Sequence, residues 1–227
     1  MKTLFVILLI FLNLPLVSQD YDKLRDNMVR RQIRSRGISH RLTLEAMRNV
    51  ERHLFVPTAQ RRRAYDDGPI PIGYGQTISQ PYIVAYMTQL VNPRPGDRVL
   101  EIGAGSGYQA AVLGEIVEQV YTIEIIPELG ARAGKLLSDL GYGNIEVVIG
   151  DGYYGLEDQG PFDAIVVTAA AEYIPPPLVE QLKDGGKMVI PVGSPFMVQT
   201  LMLVEKKGDR ITTKNLMPVR FVPFTRD

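Results

Sequence analysis

Hydrophobic positions in the first part of the chain recur at helical spacing. Apolar residues set among many charged ones predict a surface helix over residues 20–36, which ends at Gly37 in a C′ position. Ser39 is a candidate N-cap for a second helix, whose apolar residues lie at positions 42, 46, 47 and 50. We expect these helices to form a cap over residues 19–65, packed beside the core.

Glycine and proline interrupt this pattern over residues 66–81, which we predict to be an irregular loop with a functional role. The loop contains GQTISQP and is followed by an apolar helix over residues 82–90. Pro81 suits the first position of that helix, so Ser79 and Gln80 are both N-cap candidates. A role for Ser79 as a helix cap alone is an open alternative to a chemical role.

From residue 99 onward, short apolar runs alternate with helical segments. Strands are predicted at 99–102, 120–124, 145–149, 162–168 and 188–192, helices at 106–117, 127–141 and 175–182, and a turn at 184–186. Segments 200–206 and 210–222 predict an antiparallel hairpin around Gly208 and Asp209. The pattern indicates a doubly wound α/β fold with a mostly parallel sheet, an antiparallel C-terminal edge and an N-terminal helical cap.

The first of these strands runs directly into the sequence EIGAGSG at 101–107. Three glycines alternate along this turn: Gly103, Gly105 and Gly107. A dinucleotide-binding turn would have a further glycine in place of Tyr108, whereas this spacing resembles the turn of class I S-adenosylmethionine-dependent methyltransferases. The spacing of Ser106 and Gln109 predicts a capping box at the start of the next helix. A tight strand-to-helix connection without a ligand is the alternative.

Polar residues and glycines follow the ends of three predicted parallel strands, and ligands of open α/β sheets bind beyond such ends. These residues are Glu101, Gly103, Gly105, Glu124 and Asp151. We therefore expect them to share one crevice. Glu124 lies at the distance from the glycines at which an acidic side chain accepts hydrogen bonds from ribose hydroxyls. Asp151 is expected to contact an adenine amino group beside Gly152. A surface position for Glu124 and a simple turn at Asp151 are the alternatives.

The composition excludes several kinds of chemistry. The 227 residues suit one domain over residues 19–227, and 25 basic residues balance 25 acidic ones, so no net charge favours nucleic acid. Cysteine is absent, which excludes a cysteine nucleophile, disulfides and thiolate metal sites. His53 is expected to pack against other residues or lie on the surface. We interpret the arginines around 30–36 and 61–63 as a solvated face, with an acidic polypeptide partner as the alternative.

Residues 1–18 have a pattern of their own. Lys2 precedes an apolar run from position 4 to position 12, followed by Pro15 and Ser18, as in a secretory signal. The run is short for a membrane span. A cleaved signal, an anchor and an apolar extension of the chain are the alternatives, and we exclude this segment from the fold.

Five segments together resemble the protein-L-isoaspartate (D-aspartate) O-methyltransferase family, from about residue 22 to residue 225. They are GQTISQP at 75–81, VLEIGAGSGY at 99–108, FDAIVVTAA at 162–170, GGKMVIPVG at 185–193 and VRFVP at 219–223. The first and last segments are not general methyltransferase features, so they distinguish this family within the superfamily. The chain has Tyr82 where many relatives carry His, which departs from the family pattern.

The resemblance implies that Ser79 is the active-site hydroxyl and that Thr77 is a supporting donor. It also implies that the cofactor, S-adenosylmethionine, is surrounded by a larger set: Ile78, Gln80, Tyr82, Glu101, Gly103, Gly105, Gly107, Glu124, Asp151, Gly152 and Thr225. An extended damaged peptide is expected to lie along Arg220, Val222 and Pro223 and to pair through its main chain.

The implied reaction is in-line transfer of a methyl group from S-adenosylmethionine to the free carboxylate of an isoaspartyl or D-aspartyl residue. A carboxylate of pKa about 3.5 is already ionised at neutral pH, so no strong general base is needed. This agrees with a loop that offers hydroxyls and has no His, Lys or Cys. We expect a monomeric protein repair enzyme that binds neither nucleic acid nor metal and lies in the cytoplasm, where its cofactor is made.

Other interpretations stay open on the sequence alone. The glycine turn also suits a methyltransferase that acts on a small molecule or RNA. A non-catalytic module that binds cofactor or peptide is a second alternative, although Thr77 and Ser79 argue against it. Residues 1–18 favour export or membrane anchoring over a cytoplasmic location.

Overall fold

The computed structural model describes residues 20–194 and 197–226. The signal-like segment, residues 1–18, lies outside these ranges. Within them, no helix is long and apolar enough to cross a membrane.

The N-terminal cap begins with helix α1 (Tyr21–Asn27), which continues as a π-helical turn (Met28–Ile33) and a 3₁₀ turn (Arg34–Arg36). The apolar side of this composite helix is fully buried at Met28 and Ile33, as its helical spacing predicted. Gly37 ends it in the left-handed conformation with φ of 93°, which confirms the predicted C′ position.

Helix α2 (Arg41–Asn49) begins one residue later than predicted, so the prediction of Ser39 as its N-cap is wrong. The N-cap is His40, and no side chain caps the helix there. Instead, the backbone amides of Ser39 and His40 donate to Oε1 of Gln89 at 2.7 and 2.9 Å. A side chain from another helix therefore supplies the acceptor that a capping hydroxyl would have provided.

Two short 3₁₀ turns (Arg52–Phe55 and Thr58–Arg63) lead from the cap towards the predicted loop. His53 is buried there, stacked on Tyr21 at 3.9 Å between ring centroids, and its Nδ1 lies 2.8 Å from the hydroxyl of Tyr65. The prediction that His53 packs against other residues is confirmed.

The segment 66–81 is not an irregular loop, because it contains an antiparallel hairpin of strands β1 (Ile70–Gly73) and β2 (Gln76–Ile78). Ile70 pairs with Ile78, and both side chains are buried, so alternate residues of the hairpin anchor it to the core. Tyr74 and Gly75 turn the chain with positive φ values of 54° and 72°. Gly75, which suggested a loop, lies in the turn of this hairpin, and Pro71 lies in strand β1.

Helix α3 (Pro81–Val91) follows the hairpin, with Pro81 in the first turn as predicted. Gln80 occupies the N-cap position, and its side chain makes no capping hydrogen bond. Ser79 lies before the N-cap, so the interpretation of Ser79 as a helix cap is wrong. Its hydroxyl is left for another role.

A seven-stranded sheet forms the centre of the protein. Its strands are β3 (Arg98–Ile102), β4 (Gln119–Glu124), β5 (Ile145–Ile149), β6 (Phe162–Val167), β7 (Leu182–Val192), β8 (Gln199–Lys207) and β9 (Arg210–Val219). The spatial order is β5-β4-β3-β6-β7-β8-β9, parallel from β5 to β7 and antiparallel from β7 to β9. The predicted doubly wound sheet with an antiparallel C-terminal edge is confirmed.

The central strands are buried on both faces. Val99 packs into one hydrophobic cluster and Leu100 into the other, on the opposite face of the sheet. Continuous apolar runs are typical of such strands. The predicted turn at 184–186 lies within β7, as a bulge between the pairs Phe162–Leu182 and Ala164–Lys187.

Three helices connect the parallel strands: α4 (Tyr108–Gly114), α5 (Pro127–Asp139) and α6 (Pro176–Glu180). The predicted capping box at the start of α4 is wrong, because its N-cap is Gly107 with φ of 84°. The Ser106 hydroxyl accepts only a long 3.4 Å bond from the amide of Tyr108, and Gln109 donates to the hydroxyl of Thr88 at 3.0 Å. A left-handed glycine thus replaces the side-chain cap.

Candidate active site

A cleft of about 760 Å³ lies beyond the carboxyl ends of β3, β4 and β6. The chain leaves β3 towards β4 on one side and reaches β6 on the other, so the cleft lies at the topological switch point of the sheet. Its lining includes Thr77, Ile78, Ser79, Glu101, Gly103, Gly105, Glu124, Gly152, Val222, Pro223 and Thr225. The expected convergence of these segments on one crevice is therefore observed.

The glycine turn leaves no room for a side chain at its first position. Gly103 has φ of 97°, and a Cβ atom there would lie 2.6 Å from Oγ1 of Thr168. That hydroxyl donates to the carbonyl oxygens of Ile102 and Gly103 at 3.0 and 2.8 Å. Thr168 thus fixes the turn from the neighbouring strand, β6, and lines the cleft itself.

Glu124 is buried at the end of β4, and both of its carboxylate oxygens accept backbone hydrogen bonds. Oε2 accepts from the amide of Gly105 at 2.7 Å, and Oε1 accepts from the amide of Ile126 at 3.0 Å. The alternative of a surface position for Glu124 is wrong. The side chain holds the glycine turn to the start of α5 and presents its carboxylate to the cleft.

Glu101 is fully buried beneath the same turn. Its Oε2 accepts a 2.6 Å hydrogen bond from the hydroxyl of Thr122, and its Oε1 has no partner among the described residues. Burial raises the pKa of Glu101 to about 8, the hydrogen bond from Thr122 lowers it in part, and the charge of Glu124 raises it further. An unpartnered carboxyl oxygen in a cleft wall suits a ligand that carries a hydrogen-bond donor.

Asp151 follows β5 and is engaged on both carboxylate oxygens. Oδ1 accepts from the amide of Tyr153 at 2.9 Å, and Oδ2 accepts from Nε of Arg226 at 2.7 Å. The guanidinium of Arg226 also lies 3.6 Å from the centroid of the Tyr153 ring. Asp151 does not line the cleft, whereas the adjacent Gly152 does. A predicted contact between Asp151 and adenine stays a prediction.

Ser79 and Thr77 lie at the end of β2, on the rim of the same cleft. Thr77 is exposed and Ser79 is half-buried. Within the described part of the chain, the Ser79 hydroxyl has no hydrogen-bond partner, so it is free to bind a ligand. Neither histidine nor lysine lines the cleft within that part.

A second cleft, of about 1010 Å³, meets the first at four residues: Thr77, Ser79, Thr168 and Val222. Its other walls come from the start of α3 and from the end of β9, including Gln80 and Arg220. The hydroxyls of Thr77 in β2 and of Ser79 directly after it therefore lie where two binding spaces join. Such a junction suits the transfer of a group between two bound molecules.

The C-terminal segment 220–226 forms one wall of each cleft. It is attached at Ala170, whose amide donates to the carbonyl of Val222 at 2.8 Å and whose carbonyl accepts from the amide of Phe224 at 2.9 Å. The amide of Phe221 also donates to Oε1 of the buried Gln199 at 2.9 Å. Backbone pairing thus fixes this segment across the ends of the strands.

Three predicted site residues lie outside both clefts: Tyr82, Gly107 and Asp151. Tyr82 stacks on Tyr86 at 5.7 Å between ring centroids, and Gly107 packs against Leu137 of α5. The sequence reasoning in turn missed Thr168, which lies at the end of a strand adjacent to β3. Its position at the end of a predicted parallel strand is the same sequence signal that marked Glu101 and Glu124.

The model of the protein-L-isoaspartate(D-aspartate) O-methyltransferase family matches residues 23–227. Protein-L-isoaspartate O-methyltransferase 1 of Nitrosospira multiformis is 56% identical over 93% of this chain and 91% of its own length. Protein-L-isoaspartate O-methyltransferase of Opitutus terrae is 57% identical over 89% of this chain and 87% of its own length.

A solved Plasmodium falciparum structure, described as a protein-L-isoaspartate O-methyltransferase in complex with S-adenosyl-L-homocysteine, is similar over 92% of this chain and all of its own. The TM-score is 0.77 and the sequence identity is 26%.

Proposed function

The chain belongs to the protein-L-isoaspartate(D-aspartate) O-methyltransferase family, and from this we propose that the hydroxyls of Thr77 and Ser79 bind the acceptor carboxylate where the two clefts meet. The enzyme moves a methyl group from S-adenosylmethionine to the free carboxylate of L-isoaspartyl and D-aspartyl residues in damaged proteins. The observation that carries the proposal is the shared position of Thr77 and Ser79 in both clefts.

The first cleft fits S-adenosylmethionine, which supplies an electrophilic methyl group on a sulfonium sulfur when it is bound. Gly103 and Gly105 let the backbone approach a ligand, and the unpartnered Oε1 of Glu101 suits a hydrogen-bond donor group. Glu124 would accept from ribose hydroxyls with the lone pairs that the Gly105 and Ile126 amides leave free. Ile78, Gly152 and Thr225 complete this wall.

The second cleft suits the damaged peptide. Arg220 and Val222 line it, and Pro223 continues the same segment into the first cleft. We infer that an extended peptide lies along this segment and that main-chain groups provide most of the contacts. Recognition through the main chain would accept isoaspartate in many sequence contexts.

The residues at the junction perform positioning rather than proton transfer. The acceptor carboxylate is already ionised at neutral pH, so no base is needed. Thr77 and Ser79 need only donate hydrogen bonds that fix the orientation of the carboxylate. Apolar side chains such as Ile78 and Val222 line the same place. Positioning of this kind contributes roughly 7–11 kcal/mol to lowering a barrier.

Two further parts of the proposal concern the state of the enzyme. The balance of 25 basic and 25 acidic residues supports the absence of a nucleic-acid partner. A cytoplasmic location is supported by the supply of S-adenosylmethionine there.

A direct assay tests the proposed function. The full chain is incubated with methyl-labelled S-adenosylmethionine and with two peptides of the same sequence, one containing isoaspartate and one containing aspartate. We expect base-labile label on the isoaspartyl peptide alone, because only its free carboxylate matches the acceptor. Equal labelling of both peptides would contradict recognition of the isoaspartyl linkage.

A further inference from the structure

We infer that Arg52 is a positioning residue for methyl transfer, because its buried guanidinium fixes the backbone of Ser79 and links it to the wall of the cofactor cleft. This inference rests on the role proposed above for Ser79. It concerns a residue of the N-terminal cap for which the sequence predicted no role.

The contacts of Arg52 connect three parts of the protein. Nη2 donates to the carbonyl oxygen of Ser79 at 2.8 Å, and Nε donates to the carbonyl oxygen of Ala64 at 2.7 Å. The guanidinium carbon lies 4.8 Å from the centroid of the Tyr108 ring. Tyr108 is the first residue of α4 after the glycine turn, and it lines the cofactor cleft.

Arg52 is fully buried and has no carboxylate partner among the described residues. Its third nitrogen, Nη1, also lacks a hydrogen-bond partner there. A buried cation without an anion is costly, and an apolar side chain of similar volume would fill the same space at lower cost. Stability alone therefore does not explain an arginine at this position.

The carbonyl that Arg52 holds belongs to Ser79, whose hydroxyl is proposed to bind the acceptor carboxylate. Ser79 lies between β2 and α3, where no strand pairing or side-chain cap fixes its peptide groups. The planar guanidinium fork can hold the carbonyls of Ser79 and Ala64 together in a fixed geometry. The direction of the Ser79 hydroxyl then follows from the orientation of its backbone.

The neighbouring residue is held from the cap in a similar way. Nε2 of Gln80 donates to Oδ1 of Asp67 at 2.8 Å, and Asp67 forms an ion pair with Arg36. Arg36 is partly exposed, whereas Arg52 is fully buried. Two arginines of the cap thus act on the consecutive residues Ser79 and Gln80, Arg36 through Asp67 and Arg52 by a direct hydrogen bond to Ser79.

Substitution of Arg52 by Lys or Gln tests this inference. R52K keeps the charge but cannot hold two carbonyls through a planar fork, and R52Q keeps a donor without the charge. The matched control is R98K, because Arg98 also lies over a tyrosine ring, at 5.5 Å from Tyr121, at the opposite end of β3. Each variant is assayed well below its own melting temperature.

We expect R52K to lower kcat about 10- to 100-fold, because a small displacement of a positioning group has an effect of this size. The Kd of S-adenosyl-L-homocysteine should change less than about threefold, since the direct cofactor contacts remain. R52Q should add an increase in the KM of the isoaspartyl peptide, as the positive charge is lost. R98K should lower the melting temperature and leave kcat, KM and Kd unchanged.

A double-mutant cycle with S79A separates this inference from the proposed role of Ser79. If Arg52 acts through Ser79, R52K should have little further effect on kcat in the S79A background. Equal effects of R52K in both backgrounds would overturn the inference while the role of Ser79 stands. Full activity of S79A would overturn both. If R52K does not fold, the same cycle is measured with R52Q.

Discussion

Arg226 donates from Nε to Oδ2 of Asp151 at 2.7 Å, and this ion pair joins the C-terminal segment to the loop after β5. The C-terminal segment 220–226 is paired with Ala170 and then passes along the cofactor cleft to Arg226. Pro223, Phe224 and Thr225 lie in the wall of that cleft. The segment is attached at Ala170 by backbone hydrogen bonds. At Asp151 it is attached only through the side chain of Arg226, which also stacks on Tyr153. The segment is therefore easier to release at Asp151.

Loss of this ion pair should speed the exit of the cofactor. We predict that R226A raises the dissociation rate of S-adenosyl-L-homocysteine roughly threefold to tenfold, since one ion pair and two cation–π contacts are lost. Stopped-flow displacement measures this rate. K135A, which removes an exposed ion pair with Asp139 on α5, is the control and should leave the rate unchanged. An unchanged rate in R226A would contradict a restraining role for Arg226.

The Ser79 hydroxyl should affect turnover and not stability. We predict that S79A lowers kcat about 10- to 100-fold, with the Kd of S-adenosyl-L-homocysteine changed less than about twofold. Because Gln80 is the N-cap of α3, the melting temperature should stay unchanged. If the Ser79 hydroxyl were a helix cap, its removal would lower the melting temperature by about 2–4 °C. Calorimetry together with steady-state kinetics distinguishes the two roles.

Arg220 should affect the peptide and not the cofactor, because it lines only the second cleft. We predict that R220A raises the KM of an isoaspartyl peptide roughly threefold to tenfold, as one exposed contact is lost. The Kd of S-adenosyl-L-homocysteine should stay the same. If instead both constants are unchanged, the peptide does not lie along this segment.

Glu101 should make stability depend on pH. Burial raises its pKa to about 8 in the folded protein from an ordinary value of 4.5, so the folded state keeps a proton that the unfolded chain releases. The stability that this proton contributes is complete below pH 4.5 and is lost as the pH rises through about 8. In E101Q this titration is absent.

We therefore predict that the melting temperature of the native protein falls relative to that of E101Q between pH 5 and pH 9. Thermal melts of both proteins in matched buffers measure the difference. Parallel curves across this range would mean that the pKa of Glu101 is not raised.

Gly103 should tolerate no larger residue. We predict that G103A lowers the free energy of unfolding by at least about 1–2 kcal/mol from backbone strain alone and abolishes binding of S-adenosyl-L-homocysteine. The overlap with Thr168 adds to this strain, so G103A/T168A should recover part of the stability. Gly96 is the matched control, because space around it is open and its φ is not in the left-handed range. Chemical denaturation should find G96A neutral or slightly more stable.

The sheet could be predicted from the sequence because its strands are continuous apolar runs bounded by glycine or charged residues. The helix starts could not, and the three predicted hydroxyl caps were all wrong: Ser39, Ser79 and Ser106. Each failed for a tertiary or conformational reason. Gln89 of another helix accepts from the amides of Ser39 and His40, Pro81 at the first position of α3 makes Gln80 the N-cap, and a left-handed glycine precedes α4.

Some residues of the candidate site could likewise be predicted from the sequence, and others could not. Residues at the ends of β3 and β4 were predicted, because the order of parallel strands places those ends together. Arg52 could not be recognised, since arginine is usually exposed and nothing in the local sequence indicates that it is buried. Its contacts join residues 12 and 27 positions away along the chain, which only the folded structure brings together.

Thr77 lies in the smaller of the two sheets, whose strands have four and three residues, and Ser79 directly follows that sheet. A sheet of two strands has little stability of its own, so its order depends on the cap and the core around it. On warming, this hairpin is expected to open locally while the seven-stranded sheet stays intact. The temperature at which repair stops would then lie below the melting temperature and be set by the hairpin.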